Sequence, residues 1–112
     1  FGVDFAGAGG TPVKAAQSGV VTQAGWDDEH GYFGTIYHGA NAAANDDGTY
    51  PANYATSYAH LQSKPAVQVG QRVAQGDVIG YVGSTGSSTG SHLHFQLLVN
   101  GTPIDPLAML PQ

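Results

Sequence analysis

The stretch His92-Leu93-His94-Phe95-Gln96-Leu97-Leu98-Val99 is the longest run of strand-forming residues in the chain. On a strand, residues i and i+2 face the same side. His92 and His94 therefore stand about 6.5–7 Å apart on one face, while Leu93 and Phe95 turn the other way, into a core. Imidazoles at that spacing converge on one site, where one binds a metal and the other reaches the metal's water or a substrate. Taken alone, the pair fits two solvent-facing histidines on an edge strand equally well. Asn100-Gly101 follows as a tight hairpin signal, with Thr102 to Ile104 as the returning strand.

Moving outward, the same reading finds short extended segments at Gly2 to Phe5, Gly19 to Ala24, Phe33 to His38, Thr56 to Leu61, Val67 to Val69 and Val78 to Val82. No stretch of useful length has helical periodicity. One helical turn is expected at the end, with Asp105 as cap, Pro106 at the first helical position and Leu107 to Leu110 behind it. The 17 glycines are about twice the usual share, and charged residues make up only 10%. These features predict an all-β fold: a compact antiparallel sheet or sandwich with Gly-rich turns and long loops flanking a groove. The loops are residues 39–53 and 83–91. Tyr32, Tyr50 and Tyr54 are candidates to line the groove, with ordinary partial burial the simpler reading. The 112 residues fit one domain, 1–112.

Charge and composition exclude several functions. The net charge is -5, and the only cationic side chains are Lys14, Lys64 and Arg72. Nucleic acid binding needs clustered Lys and Arg. No apolar run approaches the ~18 residues of a membrane span. With no cysteine, the chain has no disulfide, thiolate metal site or cysteine nucleophile. Gly83 to Ser91 looks like a phosphate loop but lacks the Gly-Lys-Ser/Thr ending. Val67 to Gly80 is similar to a biotinyl- or lipoyl-carrier half-barrel, but neither Lys14 nor Lys64 sits in an acceptor setting.

Two further features carry chemistry. Tyr58-Ala59-His60-Leu61 places a histidine among apolar residues on a strand. Gly2-Val3-Asp4-Phe5 places a carboxylate between apolar neighbours, which is costly to bury unless it is paired or metal-bound. One carboxylate and three histidines in a cysteine-free β chain suit zinc, which takes imidazole and carboxylate ligands. His30 and His38 fit no metal spacing and read as structural or surface residues.

An ordered set of motifs spans nearly the whole chain. It runs through Gly2-Val3-Asp4-Phe5, Gly10-Thr11-Pro12-Val13, Ala15-Ala16-Gln17-Ser18-Gly19-Val20-Val21, His38-Gly39 and Tyr58-Ala59-His60-Leu61. It continues through Val69-Gly70-Gln71-Arg72-Val73, Gly76-Asp77-Val78-Ile79-Gly80, Gly83-Ser84-Thr85-Gly86, Ser88-Thr89-Gly90, His92-Leu93-His94-Phe95 and Asn100-Gly101. In this set the chain resembles the lysostaphin- and LytM-like zinc endopeptidases. Tyr32 and Phe33 depart from the Gly-Asn-aromatic pattern frequent in that family.

The resemblance implies a zinc-dependent endopeptidase that hydrolyses cross-links or stem peptides of bacterial peptidoglycan. It implies Asp4 and His94 as zinc ligands and His60 and His92 as catalytic histidines. It further implies extracellular or periplasmic action and flanking domains in a parent protein. The family's third ligand, a histidine four positions before the Asp, falls just ahead of Phe1, so the domain is expected to be cut short at its N-terminus. The chain must bend to bring two such ligands to one ion, and Gly2 is placed to allow it. The rival implied by the same resemblance is a zinc-free binding domain that activates cell-wall amidases.

Overall fold

The computed structural model describes residues 3–39, 54–86, 90, 92–99 and 102–104; for 3–6, 92, 99 and 102–104 this means the backbone. Nine strands follow in order: β1 (Val3–Ala6), β2 (Pro12–Lys14), β3 (Gly19–Asp27), β4 (Gly31–Tyr37), β5 (Tyr54–Leu61), β6 (Arg72–Val73), β7 (Val78–Tyr81), β8 (His92–Val99) and β9 (Thr102–Ile104). Seven of them form one antiparallel sheet in the order β1-β8-β5-β4-β3-β6, with β9 also paired to β8. β2 and β7 form a separate two-stranded sheet. The all-β expectation holds, and no α-helix occurs among the described residues.

The sheet's two faces follow from strand alternation, because direct cross-strand partners share a face. Leu97, Thr56, Ile36 and Val21 form one row across β8, β5, β4 and β3. All four are buried. The next row, Gln96, Ser57, Thr35 and Gln23, is offset by one residue on β8, β5 and β4 and faces the other way. Behind the first row, the small sheet contributes Val13 and Ile79 to a cluster with Val21, Ile36, Tyr58, Leu61 and Val73. Leu93 and Phe95 pack against this cluster, as the alternation around His94 predicts.

Two expectations are corrected. Val67 to Val69 is not a strand: Val67 is buried, but Val69 is exposed. The backbone there closes a turn instead, with Gln71 N–H donating to the Gln68 carbonyl. β2 was not expected as a strand; it begins at Pro12, a residue tolerated at the first position of a short strand. The expected helical turn at 105–110, loop residues 40–53 and the proposed bend at Gly2 lie outside the described residues.

A buried polar chain ties the back of the sheet together. His38 is 1% exposed, and its Nδ1 lies 2.8 Å from the Ser18 carbonyl oxygen. A carbonyl only accepts, so Nδ1 carries the hydrogen and neutral Nε2 must accept. Its donor is the Thr56 hydroxyl at 2.8 Å. Thr56 Oγ1 then accepts from the Tyr58 hydroxyl at 2.7 Å, whose oxygen accepts from Ala16 N–H at 2.9 Å. Each proton has one place to go. Protonating Nε2 would reverse the chain and leave the Tyr58 hydrogen without an acceptor. Desolvation by burial pushes the His38 pKa below its ordinary 6.5, against the opposing pull of the Ser18 carbonyl.

The sign of the pH effect follows. The unfolded chain takes up a proton near pH 6.5 and the folded chain resists it, so stability is fully present above 6.5 and falls as pH drops below it. Urea unfolding at pH 7.5 and 5.5 should show this loss, and His38→Gln should show a shallower one. Thr56→Val, which removes the donor to Nε2, should cost about 1–3 kcal/mol at pH 7.5.

Candidate functional site

The site is built on an irregularity in β5. Pairing between β4 and β5 runs regularly from Tyr37↔Ala55 to Gly34↔Tyr58 and resumes at Tyr32↔Leu61. Ala59 and His60 therefore both stand opposite Phe33, which is a β-bulge. His60 adopts φ 61°, the positive-φ non-glycine among the described residues. On a regular strand His60 would face away from the partner row of Ala59, which is paired with His94. The bulge turns its ring toward that row instead, and the two imidazole centroids lie 6.0 Å apart at 63°.

Left-handed backbone costs a non-glycine residue about 1–2 kcal/mol, and several contacts offset this. His60 N–H donates to the His30 carbonyl at 2.7 Å, and its own carbonyl accepts from Gly83 N–H at 3.0 Å. Nδ1 lies 2.7 Å from the Thr85 carbonyl oxygen. That acceptor selects the Nδ1–H tautomer, so neutral His60 carries its lone pair on Nε2. Thr85 is itself fixed: its hydroxyl donates to the Leu61 carbonyl at 2.6 Å and accepts from Tyr32 N–H at 3.1 Å. Residues 31 and 86 meet backbone to backbone. A Cβ on Gly31 would strike Thr85, and one on Gly86 would strike the Gly31 nitrogen. Both glycines also have positive φ.

His94 lies in the middle of a row of three strands. It pairs with Ala59 on one side and with Asp4 of β1 on the other. His92 pairs with Ala6. The backbone thus brings the sequence-predicted positions Asp4 and His94 to one ladder pair and His92 to the next pair but one, with the His60 ring turned toward His94. Nitrogen and oxygen donors without thiolate are the set zinc accepts, so these residues fit the ion in kind. Among the described residues, no three His, Asp or Glu side chains gather as a metal cluster.

On the His94 face, the row Gln96, Ser57, Thr35 and Gln23 floors an open cavity of about 230 Å³. Thr35 Oγ1 donates its one hydrogen to Gln23 Oε1 at 2.9 Å and accepts from the Ser57 hydroxyl at 3.3 Å. Leu98 and Phe33 flank the row, and Asp27 and His30 close the β3–β4 end. Asp27 accepts from His30 N–H at 2.6 Å, and its carboxylate oxygens lie 3.0 Å from His30 Nδ1. The backbone N–H of His30, followed by its ring, holds the Asp27 carboxyl below the ordinary carboxylate range.

His38 is structural, as expected from sequence. His30 lines the cavity and supports His60 through its carbonyl. Tyr32 packs edge-on to Trp26 at 5.0 Å, and Tyr54 lies against His38 at 4.9 Å. Both are half-buried and neither lines this cavity; Tyr50 lies outside the described residues. Asp27 and Thr85 were missed. The Asp27-Asp28-Glu29-His30 turn carries an Asp three residues before a His, a capping signal that was available. Thr85 acts partly through a main-chain carbonyl, which has no residue signature.

The sequence pattern of Peptidase family M23 matches residues 1–106. The chain belongs to this family. It is 40% identical over 108 residues to the DD-carboxypeptidase/endopeptidase Mpg of Neisseria meningitidis serogroup B, covering 96% of this chain and 22% of that relative. The catalytic domain of lysostaphin from Staphylococcus simulans superposes with a TM-score of 0.77 at 41% identity, over 96% of this chain and 76% of that one. A zinc-containing peptidase from Vibrio cholerae superposes with a TM-score of 0.79 at 35% identity, over 99% of this chain and 30% of that one. The resemblance read from the motifs is borne out at the level of the family. The chain spans about a fifth of the length of the curated relatives it matches.

In this M23 domain, the support around His60 yields two expectations. Long-range nitrogen–proton NMR should find His60 as the Nδ1–H tautomer near neutral pH; an Nε2–H signal would contradict the Thr85 assignment. Gly31→Ala should destabilise the fold by roughly 1–3 kcal/mol in urea unfolding, because it combines unfavourable φ with a collision at Thr85.

Proposed function

We propose that the chain is the zinc-dependent endopeptidase domain of a protein that hydrolyses bacterial peptidoglycan peptides outside the cytoplasmic membrane. The observation that carries this reading is the convergence of Asp4, His94 and His60 on one part of the sheet. Asp4 and His94 sit at the same ladder pair, and the bulge brings the His60 ring 6.0 Å from that of His94. Membership of a peptidase family supports it, as do relatives named for peptidoglycan endopeptidase activity. The negative chain, with three cationic side chains, suits a peptide substrate better than a polyanion.

In this reading Asp4 and His94 hold zinc, and His60 and His92 are catalytic. Bound there, zinc supplies a Lewis acid that polarises a peptide carbonyl and acidifies water. The protein's own part concerns protons and position. His60 has its Nδ1–H committed to the Thr85 carbonyl, so Nε2 is the nitrogen that takes a proton from the attacking water. The same imidazolium then returns it to the nitrogen of the breaking C–N bond. His92 acts as a donor to the oxyanion that develops on the carbonyl. The polar row from Gln96 to Gln23 offers amide and hydroxyl groups to the peptide backbone, holding it across the strands.

The test uses the full-length protein, purified wall fragments and mass analysis of the new ends. Chelation should abolish cleavage, and added zinc should restore it. His94→Ala should lose zinc by metal analysis. His60→Ala should keep zinc and lose turnover by roughly 10²–10⁴-fold. Cleavage indifferent to chelator would overturn the reading, and zinc retained by His94→Ala would overturn the ligand assignment.

A further inference from the structure

The cavity beyond the metal-side histidines is not uniform. Most of its lining is neutral: Gln23, Thr35, Ser57 and Gln96 in a row, with Phe33 and Leu98 beside it. One fixed charge lies at its end, the Asp27 carboxylate. None of Lys14, Lys64 and Arg72 lines the cavity, so nothing there neutralises it permanently. Its partner is the imidazole of His30. With Nδ1–H turned to the carboxylate, neutral His30 leaves an acceptor lone pair on Nε2. A half-exposed carboxylate and an imidazole acceptor therefore share one end of a polar trough. This is the arrangement an ammonium group meets well, since it has three donors and no acceptor.

Resting on the peptidase reading above, we propose that this end of the cavity is a subsite for a free ammonium group on the substrate peptide, with Asp27 as the specificity-determining residue. The recognised class is a peptide bearing an unacylated diamino residue, in preference to an uncharged chain of the same length. The spacing is consistent. His94 on β8 shares a row with Gly25 of β3, three strand intervals away, and Asp27 lies two residues further along β3, about 16 Å from His94 in all. An extended residue covers about 3.3 Å, so two residues, a long amine-bearing side chain and the Asp27 side chain reaching to meet it bridge this span. The local geometry supports the charge as well: the His30 N–H bond keeps the carboxylate in its ionised form.

The test compares two synthetic peptides, identical except that the amino group of a diamino residue two positions from the cut is free in one and acetylated in the other. With the zinc-loaded full-length protein, kcat/KM should favour the free amine by roughly three- to tenfold, a modest ratio because Asp27 is partly solvated. Asp27→Asn, which keeps an acceptor for His30 N–H, should abolish the preference. Asp28→Asn removes the neighbouring exposed charge and should retain it. The same peptides titrated into wild-type protein by NMR should give tighter binding for the free amine, with the largest shifts at Asp27 and His30. Equal rates for the two peptides, or a preference that survives Asp27→Asn, would overturn the proposal. If neither peptide is cut, the hydrolase reading fails separately, and the titration decides the subsite: equal Kd values or shifts elsewhere would end it.

Discussion

The left-handed backbone at His60 is the constraint from which the site follows. One extra residue opposite Phe33 reverses the side-chain order of β5 at the point where it passes His94. Without it, His60 would turn toward the back of the sheet with Tyr58. The strain is local, and its supports come from distant segments: His30 from the β3–β4 turn, and Gly83 and Thr85 from the stretch after β7. Such supports over-determine a conformation that the residue would not choose alone. They also explain why Gly31 and Gly86 sit where two main chains touch.

The rest of the sheet separates two tasks by alternation. The row containing Thr56 and Ile36 faces the core, and the adjacent row containing Ser57 and Thr35 faces the cavity. Polar groups on the core side are tolerated because they are fully paired: among the described residues, no buried side-chain nitrogen or oxygen lacks a partner. The His38–Thr56–Tyr58 chain is directional, so it joins the small sheet's approach at Ala16 to the large sheet in one protonation state. On the cavity side Thr35 is bonded to Gln23 and Ser57, its neighbours in the row.

Much of this was legible in the residues. The alternation of His92-Leu93-His94-Phe95 predicts which side chains face the core, and β8 and β9 have the boundaries read from sequence. The family motifs pointed to Asp4, His60, His92 and His94, which the pairing places on neighbouring strands. What could not be read is long-range. Nothing in Tyr58-Ala59-His60-Leu61 announces a bulge, because the signal for it is the count of residues on β4. Asp27 was not singled out and His30 read as structural or surface; the pairing of β3 with β4 is what brings them to the cavity. Val67 to Val69 misled for the opposite reason. Its composition suits a strand, but its backbone bonds close a turn.

The outer edge of β8 is shared by two short strands. β1 covers His92 to Phe95, and β9 covers Leu97 to Val99. Val3 pairs with Phe95 and Ile104 with Leu97, so the first residue of β1 and the last of β9 stand on either side of the Gln96 position. These two residues thus lie side by side, within about 7 Å along the strand. β1 and β9 are the strands that fasten this edge of the sheet to β8. Tension applied to both ends would bear first on these two flanking ladders and leave the central strands unloaded. Asp4, one residue from that junction, would feel such a pull before any other position of the proposed metal centre.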